Sequence, residues 1–190
     1  MKLVNMFKMA AAASLVLGAV SGANAAGSNT ARVTFDGTIV ESPCSVTHDT
    51  EDQIVPMGNS IGNGTLASGG KSEAVPFHIS LYGCVFTTEK DMNYIFTPGD
   101  NTTTATGATS NLAVMSNGTE ISNVSLVIAD SNSAALKLGE TYVQPLEKDG
   151  NNVGKATQEL KFQAWLQGAA TGTVGTGEFS SVANITISYL

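Results

Sequence analysis

Apolar residues recur at every second position in several separate runs of this chain, and no stretch repeats them with helical spacing. Val75, Phe77, Ile79 and Leu81 share one face of an extended segment, with His78, Ser80 and Tyr82 on the other. Leu160, Phe162, Ala164 and Leu166 form a second such row, with Lys161, Gln163, Trp165 and Gln167 opposite. A third row closes the sequence: Ala183, Ile185, Ile187 and Tyr189. Period two is the spacing of a strand with one face buried, so the pattern restricts the chain to sheet structures with an apolar side each.

Turn-formers divide the rest into short pieces. Gln53–Met57 reads as a strand whose Pro56 places it at an edge. Residues 59–70, rich in Gly, Ser and Asn, read as a loop. Residues 92–96 read as a strand ending at Pro98-Gly99-Asp100, and residues 101–110 as an exposed, mobile Thr/Ala/Gly loop. Residues 111–115 and 121–129 read as a hairpin about Asn117-Gly118, a strong two-residue turn signal. A short strand is expected at 134–138, a turn at 149–154 and another Gly/Thr loop at 168–177. Short strands with turns between them indicate an all-β, immunoglobulin-like antiparallel sandwich.

The first residues belong to export rather than to the fold. Lys2 and Lys8 precede a short apolar run from Ala10 to Val20, and Ala23-Asn24-Ala25 is a small-x-small cleavage signal, so residues 1–25 read as a secretory leader. The run is too short to span a bilayer. Losing both lysines moves the formal charge from -7 to -9. The remaining cations are scattered, which argues against nucleic acid as a partner. Cys44 and Cys84 are the only cysteines. In an exported chain they are expected to form the one possible bridge, closing a loop worth roughly 4 kcal/mol in the chain-entropy model.

Between leader and first cysteine lies one more alternating stretch. Ala31, Val33, Phe35, Gly37 and Ile39 line one side, with Arg32, Thr34, Asp36 and Thr38 between them. It reads as a strand with a gap in its apolar row at Gly37, where a partner can approach. At the other terminus the last strand runs to the final residues, so its far edge stays unpaired unless something covers it. A spare strand and a bare edge suit subunits that complete one another. A chain folding back on itself would satisfy the same pattern.

Catalytic and ligand signals are poor. Gly70-Lys71-Ser72 lacks the first glycine of a phosphate-binding loop, since position 65 is threonine. The Asn-x-Ser/Thr triplets at Asn101, Asn117, Asn123 and Asn184 matter only in a eukaryotic secretory route. His48 and His78 are the only candidate bases, no Gly-x-Ser-x-Gly elbow occurs, and two Cys with two His at these spacings match no zinc pattern. No catalytic residue, metal or cofactor is assigned, and an enzyme is not expected.

Taken together, the chain resembles fimbrial pilins of the chaperone–usher pathway. The resemblance is carried by the export signal, the arm Val33-Thr34-Phe35-Asp36-Gly37-Thr38-Ile39-Val40, the cysteine in Ser42-Pro43-Cys44 and the strand-ending Leu81-Tyr82-Gly83-Cys84. Phe162-Gln163-Ala164-Trp165, Gly177 opening the last segment, and the penultimate Tyr189 complete it. Trp165 stands where a smaller aromatic is usual. The resemblance implies an incomplete immunoglobulin-like sandwich, with a donor-strand arm at 26–40 and a pilin domain at 41–190. It implies donor positions Ala31, Val33, Phe35, Gly37 and Ile39, and an acceptor groove and chaperone-binding strand at Gly177, Ala183, Ile185, Ile187 and Tyr189. Neighbouring pilin subunits, a periplasmic chaperone and an outer-membrane usher are the implied partners. The implied route leads through the periplasm to a fimbrium on the cell surface, where the polymer supports cell adhesion. The competing reading is a stand-alone exported binding module, for instance a carbohydrate-recognition sandwich, in which residues 31–40 are merely the first strand.

Overall fold

The computed structural model describes residues 31–40 and 42–190. The expected leader, and arm positions 26–30, lie outside the described residues. The described chain divides into a leading segment that ends at Ile39 and a body from Val40 to Leu190. The leading segment, 31–39, is exposed throughout and forms neither helix nor strand. The strand expected there is therefore not formed in the isolated chain. Alternation supplies a strand's two faces, but its backbone groups still need a ladder partner.

The body opens with β1 (Ser45–Val46), one turn of helix α1 (His48–Glu51) and a second turn α2 (Asn63–Leu66). The sheet strands follow as β2 (Val75–Tyr82), β3 (Asp91–Pro98), β4 (Thr104–Ala105), β5 (Ala108–Ser116), β6 (Thr119–Asp130), β7 (Tyr142–Pro145), β8 (Gln158–Gly168) and β9 (Ala183–Tyr189). They build two antiparallel sheets, one ordered β1-β2-β8-β6-β5-β4 and one ordered β7-β3-β9. This is the expected immunoglobulin-like sandwich.

The core follows the alternating rows. In the β2/β8 ladder Phe77 faces Phe162 and Ile79 faces Leu160, so both apolar rows point to the same side. Phe162 sits at the centre: its ring lies 5.4 Å from Phe77, 5.3 Å from Tyr94 and 4.9 Å from Phe96, joining the two sheets. The Tyr94 and Phe96 contacts are edge-to-face, an arrangement favoured by the ring quadrupoles. The β5–β6 hairpin turns at Asn117-Gly118 as expected. Both residues have positive φ, at 49° and 78°, the mirror-image turn that matches strand twist.

Several expectations fail for identifiable reasons. Residues 101–110 are not a loop: β4 and the start of β5 lie there, and Ala105 is buried. Gly107 (φ 80°) reverses the chain, while Glu120 caps the turn by accepting from the Thr106 amide at 2.7 Å and its hydroxyl at 2.6 Å. Residues 59–70 carry two helical turns that bury Leu66, packed so closely on β8 that a Cβ at Gly168 would meet the Leu66 carbonyl. Residues 134–138 reduce to one bridge, Ala129 with Ala135. Residues 53–57 keep alternating burial but form no strand. The short β7 was not signalled at all. Trp165 does face away from the core, yet it is buried with Val127 and Ala129, and Lys71 lies 5.2 Å from its ring centroid.

The bridge between Cys44 and Cys84 is formed and buried. Replacing both cysteines by serine is expected to lower the unfolding free energy by about 2–5 kcal/mol in equilibrium denaturation. An unchanged midpoint would show that the loop costs nothing to close. Phe162→Ala removes the ring shared by both sheets and is expected to cost about 3–5 kcal/mol in the same assay.

Candidate functional site

The strand β9 ends the three-stranded sheet, and among the described residues its ladder partner is β3 alone. The register pairs Met92 with Tyr189, Tyr94 with Ile187, Phe96 with Ile185 and Pro98 with Ala183. Directly opposed residues share a face, so these rows point into the same core. Their burial differs sharply. Met92, Tyr94 and Phe96 are 0%, 6% and 3% exposed, whereas Ala183, Ile185, Ile187 and Tyr189 are only half-buried. Chemistry does not explain the difference, since isoleucine is at least as apolar as methionine or tyrosine. Position does: β3 lies between β9 and, over Asp91–Tyr94, β7, whereas among the described residues β9 is flanked by β3 alone. The outer face of β9 carries Asn184, Thr186 and Ser188, all exposed.

Both ends of β9 are fixed. Before it, Ser180 and Met115 exchange two backbone hydrogen bonds at 2.8 and 2.9 Å. The Ser181 hydroxyl donates to the Ala113 carbonyl at 2.9 Å, and the Val182 amide donates to the Thr102 hydroxyl at 2.9 Å. Asn123, held at φ 60°, donates from Nδ2 to the Thr173 carbonyl at 2.8 Å and steadies the incoming crossover. After it, the Leu190 amide donates to the Asp91 carbonyl at 3.0 Å. Phe86 packs against Tyr189 with centroids 6.1 Å apart. Burial pushes the Tyr189 phenol above its ordinary pKa, with Ser42 pulling weakly the other way, so the phenol stays neutral at physiological pH.

The sequence-predicted residues fall into separate groups. Ala183, Ile185, Ile187 and Tyr189 line the inner face of β9. Gly177 lies before that strand, exposed, with φ 152° and Ser116 as its nearest neighbour, rather than on the apolar row. Cys44 and Cys84 are joined. Ala31, Val33, Phe35, Gly37 and Ile39 lie on the exposed leading segment. A Cβ added at Gly37 would meet nothing within 4 Å, so this conformation alone does not call for glycine there.

Two features escaped the sequence reading. Phe86, two residues beyond Cys84, packs on Tyr189; its only signal was proximity to a strand end. Met57, read as part of an edge strand, is half-buried against the core cluster. The candidate bases are not assembled into a site: His48 on α1 and His78 on β2 are both exposed. Among the described residues no three His, Cys, Asp or Glu side chains are grouped as metal ligands would be. The chemistry available here is strand pairing and apolar burial.

Comparison with known proteins bears on this edge. The family model for fimbrial protein matches residues 33–190. The major MR/P fimbria protein of Proteus mirabilis is 34% identical over 183 residues, covering 96% of this chain and 97% of that protein. The fimbria A protein of Serratia marcescens is 36% identical over 185 residues, covering 96% and 97%. The crystal structure of the P pilus rod subunit PapA superimposes with a TM-score of 0.62 at 19% identity, covering 78% of this chain and all of that one, and shows the same fold. With an open-edged sandwich, two close fimbrial relatives and a family model spanning nearly all the described residues, the chain belongs to the fimbrial protein family and is a structural pilus subunit, not an enzyme.

Proposed function

We propose that this subunit polymerises head to tail by lending residues 31–39 to the free flank of β9 in a neighbouring copy. The observation that carries the reading is the burial contrast across one ladder: the β3 row is covered and the directly opposed β9 row is not. A strand laid along β9 would pair its unpaired backbone edge and cover Ile185 and Ile187 together, which is strand addition. The leading segment has the matching chemistry. Its apolar row, Ala31, Val33, Phe35, Gly37 and Ile39, repeats every second residue, and Val33, Phe35 and Ile39 are exposed in the isolated chain.

Magnitudes favour a durable joint. Burying Val33, Phe35 and Ile39 contributes roughly 1.5–3 kcal/mol each. Each new main-chain hydrogen bond adds about 0.5–1.5 kcal/mol. Donor and acceptor surfaces differ, so the contact is heterologous, and repetition gives a fibre rather than a closed ring.

In this reading residues 1–25 direct export, and a periplasmic chaperone covers the β9 edge until an outer-membrane usher exchanges it for the next subunit's arm. The polymer then stands on the cell surface as a fimbrium supporting adhesion. The stand-alone sugar-binding module is not favoured: the fimbrial match takes in most of the arm as well as the sandwich.

A chain lacking residues 26–39 is expected to fold and bind chaperone yet form no polymer by size-exclusion chromatography or negative-stain microscopy. Polymers from that chain would reject the reading. In a second experiment, Gly37→Asn is expected to keep the wild-type unfolding midpoint while assembling about tenfold more slowly or worse, because overpacking costs about 1–3 kcal/mol. Wild-type assembly kinetics would remove the role given to Gly37.

A further inference from the structure

We propose that the Cys44–Cys84 disulfide is a mechanical bypass that carries filament tension from the root of the donated arm directly into β2, keeping the segment between β1 and Met57 out of the line of force. The inference rests on the arm-donation reading above and adds a property that reading does not contain.

If the arm is lodged in a neighbour, tension on the filament enters the body at Val40, four positions before Cys44. The first structure it would meet along the chain is weak. β1 has two residues, paired as Ser45 with Tyr82 and Val46 with Leu81, and both are exposed. One further backbone bond follows, from the Thr47 amide to the Ser80 carbonyl at 2.9 Å. A ladder pulled from its terminal end opens pair by pair, so β1 offers little resistance. Beyond it the segment is held by few contacts. The Ser80 amide donates to the Thr50 hydroxyl at 3.1 Å, Gln53 donates from Nε2 to the His78 carbonyl at 2.7 Å, and Met57 packs half-buried on the core.

The disulfide reroutes this path. It bridges a sequence separation of 40 residues, so tension can pass from Cys44 to Cys84 without running along the chain through residues 45–57. Force reaching Cys44 passes to Cys84, just beyond β2, whose ladder with β8 runs from Val75–Ala164 to Leu81–Gln158. β8 is an interior strand, flanked on its other side by β6. The junction is reinforced locally: the Val85 amide donates to the Pro43 carbonyl at 2.9 Å and the Cys84 amide to the Ala156 carbonyl at 3.0 Å. The bridge is buried, shielded from the surrounding solution. A subunit can thus be pulled by its own arm without loosening residues 45–57.

The test is single-filament pulling with optical tweezers. Assembled filaments are compared before and after reduction with a phosphine, the loss of the bridge being verified by thiol alkylation, and with filaments of a Cys44→Ser/Cys84→Ser variant. Dissociation in denaturant supplies the measurement without tension. Opening the bridge is expected to add an early lengthening step of up to about 45 Å per subunit at 3.3–3.6 Å per freed residue. Joint lifetime under tension is expected to fall about tenfold, the equivalent of one or two net hydrogen bonds. Lifetime without tension should change less than about twofold on the same scale. Two results would overturn the proposal: no early step with unchanged lifetime under tension, or a lifetime shortened equally with and without tension. Should the variant fail to assemble, filaments reduced after assembly decide the matter. Failure of the arm-donation reading is distinguishable, because it appears earlier, as polymers that form without residues 26–39.

Discussion

Among the described residues, the ladder between β3 and β9 has a neighbour on one side and none on the other, and much of the molecule can be understood from that asymmetry. An edge strand presents a row of backbone donors and acceptors that water or another chain must satisfy. Here the edge also belongs to the core. Ile185 and Ile187 lie opposite Phe96 and Tyr94 across the ladder, and the same inward face is covered at β3 and half-open at β9. Burial of apolar surface drives folding, so a half-covered inward row leaves part of that stabilisation unrealised in the isolated chain.

An open edge is useful for assembly only if it keeps its shape. Ser180, Ser181 and Val182 bind it to β5 and Thr102 at the beginning, and Leu190 binds it to Asp91 at the end. Phe162, wedged between Phe77, Tyr94 and Phe96, joins the sheets beneath it. In the proposed joint, a strand held in this way would lose little freedom when a donor arrives, which is the energetic benefit of preorganisation. The leading segment stands in contrast. Its residues are exposed and unpaired, so in the proposed assembly ordering them would be a cost that the new ladder and the burial of Phe35 must exceed.

Local patterning made a good part of this legible. Rows such as Phe77-Ile79-Leu81 and Leu160-Phe162-Ala164 are one-face rows in the sequence and remain so in the ladder. Asn117-Gly118 marks a hairpin because its backbone needs two positive φ angles. Where the reading failed, the deciding contact was distant. Thr104 and Ala105 became a strand because β5 returns beside them and Glu120, fifteen positions after Ala105, caps the turn. Leu66 is buried because the end of β8 lies directly beneath it. Trp165 faces outward in sequence and in structure, but small neighbours, Val127 and Ala129, let it lie buried on the outer face.

What the sequence determined by itself is the faces of the main strands β2, β8 and β9, the pairing of its two cysteines, and an apolar row both before Cys44 and in the last residues. Those follow from side-chain spacing and from cysteine number, which are properties of single segments. Only the tertiary structure decided that, among the described residues, β9 closes the smaller sheet with one flank uncovered, Gly177 lies off the apolar row, and residues 31–40 have no ladder of their own. Pairing is a property of two strands, and a row of alternating side chains does not specify which other row will lie beside it.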